Sequence, residues 1–197
     1  MTSKPFKVVV IGDIDVGKSS LIHRITEGEF CRNAPTVGCN FRKHVAKSTF
    51  DEDVNMEIWD TAGGERYQSI VGLYYRQASA VIMMYDVTNP KTFLNVKQYW
   101  IEQIRTYCGD DVVIFLVGNK TDLLRSMNYQ DQMLMVETEI QKWARENGIM
   151  SVECSVKSED GIDKMVRLLA DRLLERQSPV ETGIRLEEYS YSSYCSC

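Results

Sequence analysis

Gly12–Ser19 reads Gly-Asp-Ile-Asp-Val-Gly-Lys-Ser, two glycines with four residues between them followed by Lys and Ser, the spelling of a loop that cradles phosphate. The apolar run Val8, Val9, Val10, Ile11 precedes it, and Leu21, Ile22 and Ile25 follow at helical spacing. The loop therefore falls where a buried strand turns into a helix. In that setting the main-chain N–H groups converge and the helix N-terminus adds partial positive charge, so Asp15, Val16, Gly17 and Ser20 can bind a phosphate chain without dedicated side chains. Lys18 reaches the terminal phosphates, and the Ser19 hydroxyl is a ligand for Mg²⁺. A glycine-containing surface turn with a chance Lys and Ser is the competing reading, and the flanking strand and helix argue against it.

The chain has 197 residues, enough for one well-buried α/β domain and too few for two comfortable ones. A formal net charge of −5 and the lack of a Lys/Arg-rich stretch argue against a nucleic-acid footprint. The longest apolar runs, at residues 80–85 and 112–117, have strand length, and Met1–Gly12 has no signal-peptide core. Of the six cysteines, Cys31, Cys39, Cys108 and Cys154 are scattered, with no Cys-x-x-Cys pair and only His23 and His44 to assist a metal site, so they read as reduced thiols. Cys195 and Cys197 differ in kind, because they close the chain as Cys-Ser-Cys, where a modifying enzyme can reach them.

Strand-like runs recur at residues 7–11, 54–59, 80–85, 112–117 and 149–154, with helix-period segments between most of them. This alternation predicts a mostly parallel sheet with helices on both faces. Residues 41–50 alternate poorly and lead directly into the next strand, which predicts an edge strand paired antiparallel through a turn at Asp51, Glu52 and Asp53. Three helices carry apolar stripes: Phe93, Val96, Trp100, Ile104 and Tyr107; Met133, Val136, Ile140 and Trp143; and Ile162, Met165, Val166, Leu169 and Leu173. Trp100 and Trp143 read as packing residues. From Gln177 the apolar period stops, and a disordered tail of about twenty residues is expected.

The base is read elsewhere in the chain. After the run 112–117 comes Gly118-Asn-Lys-Thr-Asp122, and the Asp122 carboxylate can accept two hydrogen bonds from the N1–H and exocyclic amine of guanine. Adenine lacks those adjacent donors, and an unpaired buried carboxylate is costly, so such a site rejects it. Asn119 would tie this segment to the phosphate loop, and the Lys120 stem would lie over the base beside Leu123. Cys154–Ser158 supplies a second closing loop from Ser155, Val156 and Lys157, with a backbone N–H near Val156 suited to the guanine oxygen. In Trp59–Tyr67, Asp60 is placed to hold Mg²⁺ through water, and Gly63 to offer its N–H to the γ-phosphate. Thr36 is the candidate second hydroxyl ligand, so both flanking segments depend on the third phosphate, as in a switch.

Together these residues resemble the small GTPases of the Ras superfamily, and specifically the Rab family, over residues 6–176 and at the terminal cysteines. The Trp-Asp-Thr-Ala-Gly stretch at 59–63, Tyr74–Ala78 and Tyr85–Phe93 are close to Rab spellings. The resemblance implies a P-loop NTPase fold: a three-layer α/β/α sandwich with a mostly parallel six-stranded sheet and one antiparallel edge strand. It implies a GTPase domain over 1–176, a hypervariable tail over 177–197, and a monomer that cycles between GTP and GDP forms with Mg²⁺ as cofactor. It also implies a regulator of vesicle transport on the cytoplasmic face of an intracellular membrane, with a cytosolic pool. Its expected partners are an exchange factor, a TBC-type activating protein, a dissociation inhibitor, an escort protein and effectors. Phe30 matches the aromatic that flanks guanine, and Cys195 and Cys197 match a doubly geranylgeranylated end. Stable anchoring needs two lipid chains or one chain plus basic residues, and the tail has no basic cluster, with Glu181, Glu187 and Glu188 against Arg185.

The departures from that family are specific. Gly64 stands where the family has the Gln that orients the attacking water, a role the handful of well-studied Ras and Gα proteins illustrate. Glycine cannot orient water and loosens the loop. Ile14 and Asp15 replace small residues, so Ile14 crowds the γ-phosphate and Asp15 sets negative charge beside a polyanion. With Lys18 and Gly63 as the remaining catalytic groups, intrinsic hydrolysis is expected to be slow. The segment up to Thr36 is one residue shorter than usual, and Asn40 stands where an acidic residue is common. Two other readings compete: a GTP-bound adaptor that rarely hydrolyses, and a phosphate-loop kinase. A kinase needs an acceptor site and an arginine-rich lid, and no segment between the strands is long enough for them.

Overall fold

The structure is a computed structural model that describes residues 4–31, 39–61, 74–109, 111–124 and 130–177, with 130–137 described by their backbone. Six strands, β1 (Phe6–Gly12), β2 (Cys39–Lys47), β3 (Asp53–Thr61), β4 (Ala80–Asp86), β5 (Val113–Asn119) and β6 (Met150–Glu153), form one sheet in the order β2-β3-β1-β4-β5-β6. β1 pairs parallel with both β3 and β4, and β4–β5 and β5–β6 are also parallel, whereas β2 runs antiparallel along β3 from Cys39 opposite Thr61 to Lys47 opposite Asp53. This is the expected α/β sheet with one antiparallel edge strand.

Strand alternation builds two cores. Val8, Val10, Ile82, Met84 and Phe115 face Leu21 and Ile22 of α1 (Lys18–Glu27) and Met165, Leu169 and Leu173 of α6 (Ile162–Gln177). Val9, Ile11, Val81, Met83 and Leu116 face the other way, onto Phe93 of α2 (Pro90–Asn95), Ile101 and Ile104 of α3 (Ile101–Tyr107), and Ile140 and Ala144 of α5 (Gln130–Glu146). Both faces of the central strands are covered, which is why β4 reads as an unbroken apolar run.

Two local details differ from the sequence reading. The edge strand spans 39–47 and not 41–50, because Ser48 ends it. The Ser48 hydroxyl accepts the amides of Phe50 and Glu52, and Asp51 adopts the left-handed φ of 61° that the tight turn needs. The helical run after Asn89 is also less regular than its stripe suggests. Asn89 caps it by accepting the Lys91 amide, with Pro90 in the first turn. Val96–Trp100 is then a π turn, closed by the Ile101 amide on the Val96 carbonyl, before α3 resumes. Tyr107, the last residue of that stripe, is 41% exposed rather than core. α6 continues through Gln177, one residue beyond the expected boundary.

Candidate functional site

The sheet order turns at β1: the chain leaves it toward β3 on one side and returns to β4 on the other. In open α/β sheets a ligand crevice lies outside the carboxyl ends of the strands at such a point. Every described residue singled out for phosphate, metal or base lies at such an end or on the loop or helix that follows it, except Phe30, which comes just after α1.

The phosphate loop leaves β1 at Gly12, where φ is 140° and a Cβ would collide with the Met84 carbonyl oxygen. It enters α1 at Gly17, whose φ is 102° and whose Cβ would strike the Asn119 side-chain amide. Asp15 takes a left-handed φ of 63° with its side chain almost wholly in solvent, and Ile14 is 64% exposed. Val16 is buried in the core. Lys18 is 6% exposed, and its Nζ donates to the carbonyls of Gly12 at 3.0 Å and Asp13 at 2.7 Å. Burial drives its pKa from 10.5 down to about 8, against the opposing charges of Asp60, Asp13 and Asp15.

Asn119 joins the two halves of the crevice. Its Nδ2 donates to the Val16 carbonyl at 2.8 Å, and its Oδ1 accepts the Val156 amide at 3.0 Å. The residue is 3% exposed, so both bonds are sheltered from water. The Val156 N–H itself is thus engaged by Asn119. Lys120 adopts a left-handed φ of 74° and places its Nζ 2.9 Å from Asp86 and 3.6 Å from Asp15. Asp122 Oδ1 accepts the Ser155 hydroxyl at 2.7 Å, and Lys157 Nζ lies 3.9 Å from Oδ2. The Ser155 oxygen in turn accepts the Ser158 amide, which fixes the hydroxyl's direction. Leu123 follows on the short helix α4 (Thr121–Leu124), partly exposed.

On the metal side, Ser19 is the second residue of α1 and Asp60 the penultimate residue of β3, its charge felt at Lys18. The donors are a hydroxyl and a carboxylate, all oxygen, which suits Mg²⁺ and not a thiophilic ion. Ser20 does something other than bind phosphate with its side chain: its hydroxyl donates to the Cys31 carbonyl at 2.9 Å. Phe30 is 38% exposed on the segment after α1. Thr36, Gly63, Gly64, Cys195 and Cys197 lie outside the described residues, as do the side chains of Met133 and Val136. Cys31, Cys39, Cys108 and Cys154 are unpaired thiols, and burial pushes Cys154 up to about 12 and Cys39 and Cys108 to about 11, so these three are poor nucleophiles at neutral pH. Among the described residues no His/Cys/Asp/Glu cluster could hold a metal by itself, and no helix is long and apolar enough to cross a membrane.

Sequence reasoning missed Asp13. Its carboxylate accepts Asn95 Nδ2 at 2.6 Å and Trp100 Nε1 at 2.8 Å, so the loop is anchored to the π turn. Trp100 is a core residue, as expected, and a donor besides. The available signal was that a buried indole N–H requires an acceptor.

The Ras family model matches residues 7–175. The chain is 38% identical over 191 residues to Ras-related protein Rab-26 of Rattus norvegicus, covering 93% of this chain and 70% of that one. It is 34% identical over 199 residues to Ras-related protein Rab5A of Oryza sativa subsp. japonica, covering 96% and 94%. Ras-related protein RABA2a of Arabidopsis thaliana is 37% identical over 179 residues, 88% of this chain and 78% of that one. The chain belongs to the Rab branch of the Ras family. As a Rab-like small GTPase it belongs to a family whose members bind GTP and GDP.

Proposed function

We propose that this chain is a GTP/GDP switch of vesicle-mediated transport. The observation that supports it best is the Asn119 side chain, which holds the phosphate loop and the 155–157 loop to one crevice through two buried bonds. In this reading Asp15, Val16, Gly17, Lys18, Ser19 and the main chain at Ser20 take the phosphates. Asp122, Leu123, Ser155, Val156, Lys157, Lys120 and Phe30 enclose the base, and Ser19, Thr36 and Asp60 hold Mg²⁺. Mg²⁺ held by these residues would supply positive charge beside the phosphates. The loops that contain Thr36 and Gly63 form the nucleotide-sensitive face for an exchange factor, a TBC-type activating protein and effectors.

Hydrolysis is slow because Gly64 offers no side chain to orient water, leaving Lys18 and the Gly63 N–H to stabilise charge. Single-turnover hydrolysis of preloaded GTP tests this: Gly64→Gln raises the intrinsic rate at least about tenfold, the scale of one positioned water-orienting group. An unchanged rate refutes the proposed cause. A second reading, a GTP-bound adaptor, is favoured by Ile14, 64% exposed on the loop where an activating protein's arginine would enter. Nucleotide extracted from the purified protein separates the two, with persistent GTP supporting the adaptor.

Residues 178–197 serve as a tail with Cys195 and Cys197 as geranylgeranyl acceptors, recognised by an escort protein and a dissociation inhibitor. They place the protein on the cytoplasmic face of an intracellular membrane with a cytosolic pool. One lipid chain binds marginally, so Cys195→Ser or Cys197→Ser alone shifts most of a tagged protein to the cytosol. Retention of the double variant on membranes defeats the lipid assignment.

A further inference from the structure

Arg24, near the C-terminus of α1, is 11% exposed and donates to four acceptors in three directions. Its Nε meets the Val156 carbonyl at 3.1 Å, one terminal nitrogen meets the Lys157 carbonyl at 3.2 Å, and the other meets the Gly28 carbonyl at 2.7 Å and Glu159 at 3.4 Å. The Val156 peptide is therefore held from both ends, its N–H by Asn119 and its carbonyl by Arg24. Gly28 is likewise held twice, since its N–H closes α1 on the Arg24 carbonyl. The segment that leaves Gly28 runs back along the same helix. His23 Nδ1 lies 3.0 Å from the Glu29 carbonyl, and Ser20 holds the Cys31 carbonyl. Phe30 sits between those two anchors.

A guanidinium that only capped its helix would point at the last carbonyls of α1. This one reaches 132 and 133 residues along the chain to a loop on the far side of the base site. A planar fork of five donors suits three main-chain carbonyls in divergent directions, and a lysine cannot replace it. The Glu159 carboxylate, 63% exposed, adds little.

We propose that Arg24 is a positioning residue of the base site. It fixes the Val156–Lys157 main chain on one side of the guanine and the Phe30 segment on the other, without contacting the nucleotide itself. The inference rests on the reading of this crevice as a guanine site, and the test separates the two. The probes are GDP and 2-aminopurine riboside 5′-diphosphate, which keeps the exocyclic amine facing Asp122 but has neither the N1–H nor the oxygen that the 156–157 main chain would meet. Dissociation constants and release rates are measured on the native chain, Arg24→Lys, Arg24→Gln and Glu159→Gln.

The native protein prefers GDP by about 10³-fold, as expected when the main-chain donors lose their acceptor and the Asp122 carboxylate loses one of its two donors. In Arg24→Lys and Arg24→Gln the preference falls by about tenfold or more, toward what the N1–H alone contributes at Asp122, because the main-chain donors are no longer held in place, while Glu159→Gln keeps the native ratio to within about twofold. The ratio compares two probes on one protein, so lower thermal stability of a variant does not obscure it. If both Arg24 variants release the two probes faster but keep the native ratio, Arg24 is only a helix cap and the inference falls. A native chain with no preference between the probes overturns the guanine reading and this inference with it.

Discussion

Asp122→Asn lowers the affinity for GDP by about 10³-fold and raises that for xanthosine diphosphate to within about tenfold of the native GDP value, a reversal set by two hydrogen bonds. Guanine offers N1–H and an exocyclic amine side by side, and a carboxylate accepts both. An amide keeps one acceptor and turns the other position into a donor, which repels the amine and fits the carbonyl that xanthine carries there. The substitution is close to isosteric. The Ser155 hydroxyl, 2.7 Å from Oδ1, can still donate to the amide oxygen and hold its orientation. Competition of unlabelled GDP and xanthosine diphosphate against a fluorescent nucleotide measures the exchange of preference. An Asp122→Asn protein that binds GDP as the native one does would remove Asp122 from the base site.

Nucleotide affinity falls about fivefold between pH 8 and pH 9 in the native chain, whereas Lys18→Met loses about 10²-fold at pH 7 and has no such slope. Burial lowers the Lys18 pKa to about 8 in the chain without ligand. A phosphate chain beside Nζ favours the charged form and restores a higher value, so above pH 8 each binding event must take up a proton. The stability of the ligand-free protein moves the opposite way. Between about 8 and 10.5 the unfolded chain holds a proton that folded Lys18 has lost, so stability rises with pH across that window. Titration of affinity in both proteins isolates the Lys18 contribution from ionisation of the nucleotide, which both share. A native slope no steeper than that of Lys18→Met contradicts the assignment.

Much of this could be read in one dimension because the information is local. Apolar runs announce strands buried on both faces, and a glycine pair with Lys-Ser announces a loop. Asn119 and Asp122 were legible because their spacing after a strand is itself the signal. The edge strand was harder, since only Ala46 among residues 39–47 is buried and alternation gives no register. Its end is set by the Ser48 hydroxyl, which any turn-forming serine could mimic. The π turn left no mark, because Phe93, Val96, Trp100 and Ile104 fit an ordinary helical period even where the hydrogen bonds do not. Arg24 was invisible for a different reason: its partners at 156 and 157 become neighbours only when β6 pairs with β5. Charged side chains whose contacts are mostly main-chain carbonyls leave no pattern of residue types to find.

The grip of Trp100 and Asn95 on Asp13 spans 87 and 82 residues of chain. The eight residues from Gly12 to Ser19 are therefore not a portable cassette. Transplanted to another strand–helix junction, they would carry the glycines and the lysine but leave the Asp13 carboxylate without its two donors and the Val16 carbonyl without Asn119. The short motif names the ligand, while the shape that binds it is supplied by residues from the rest of the sheet.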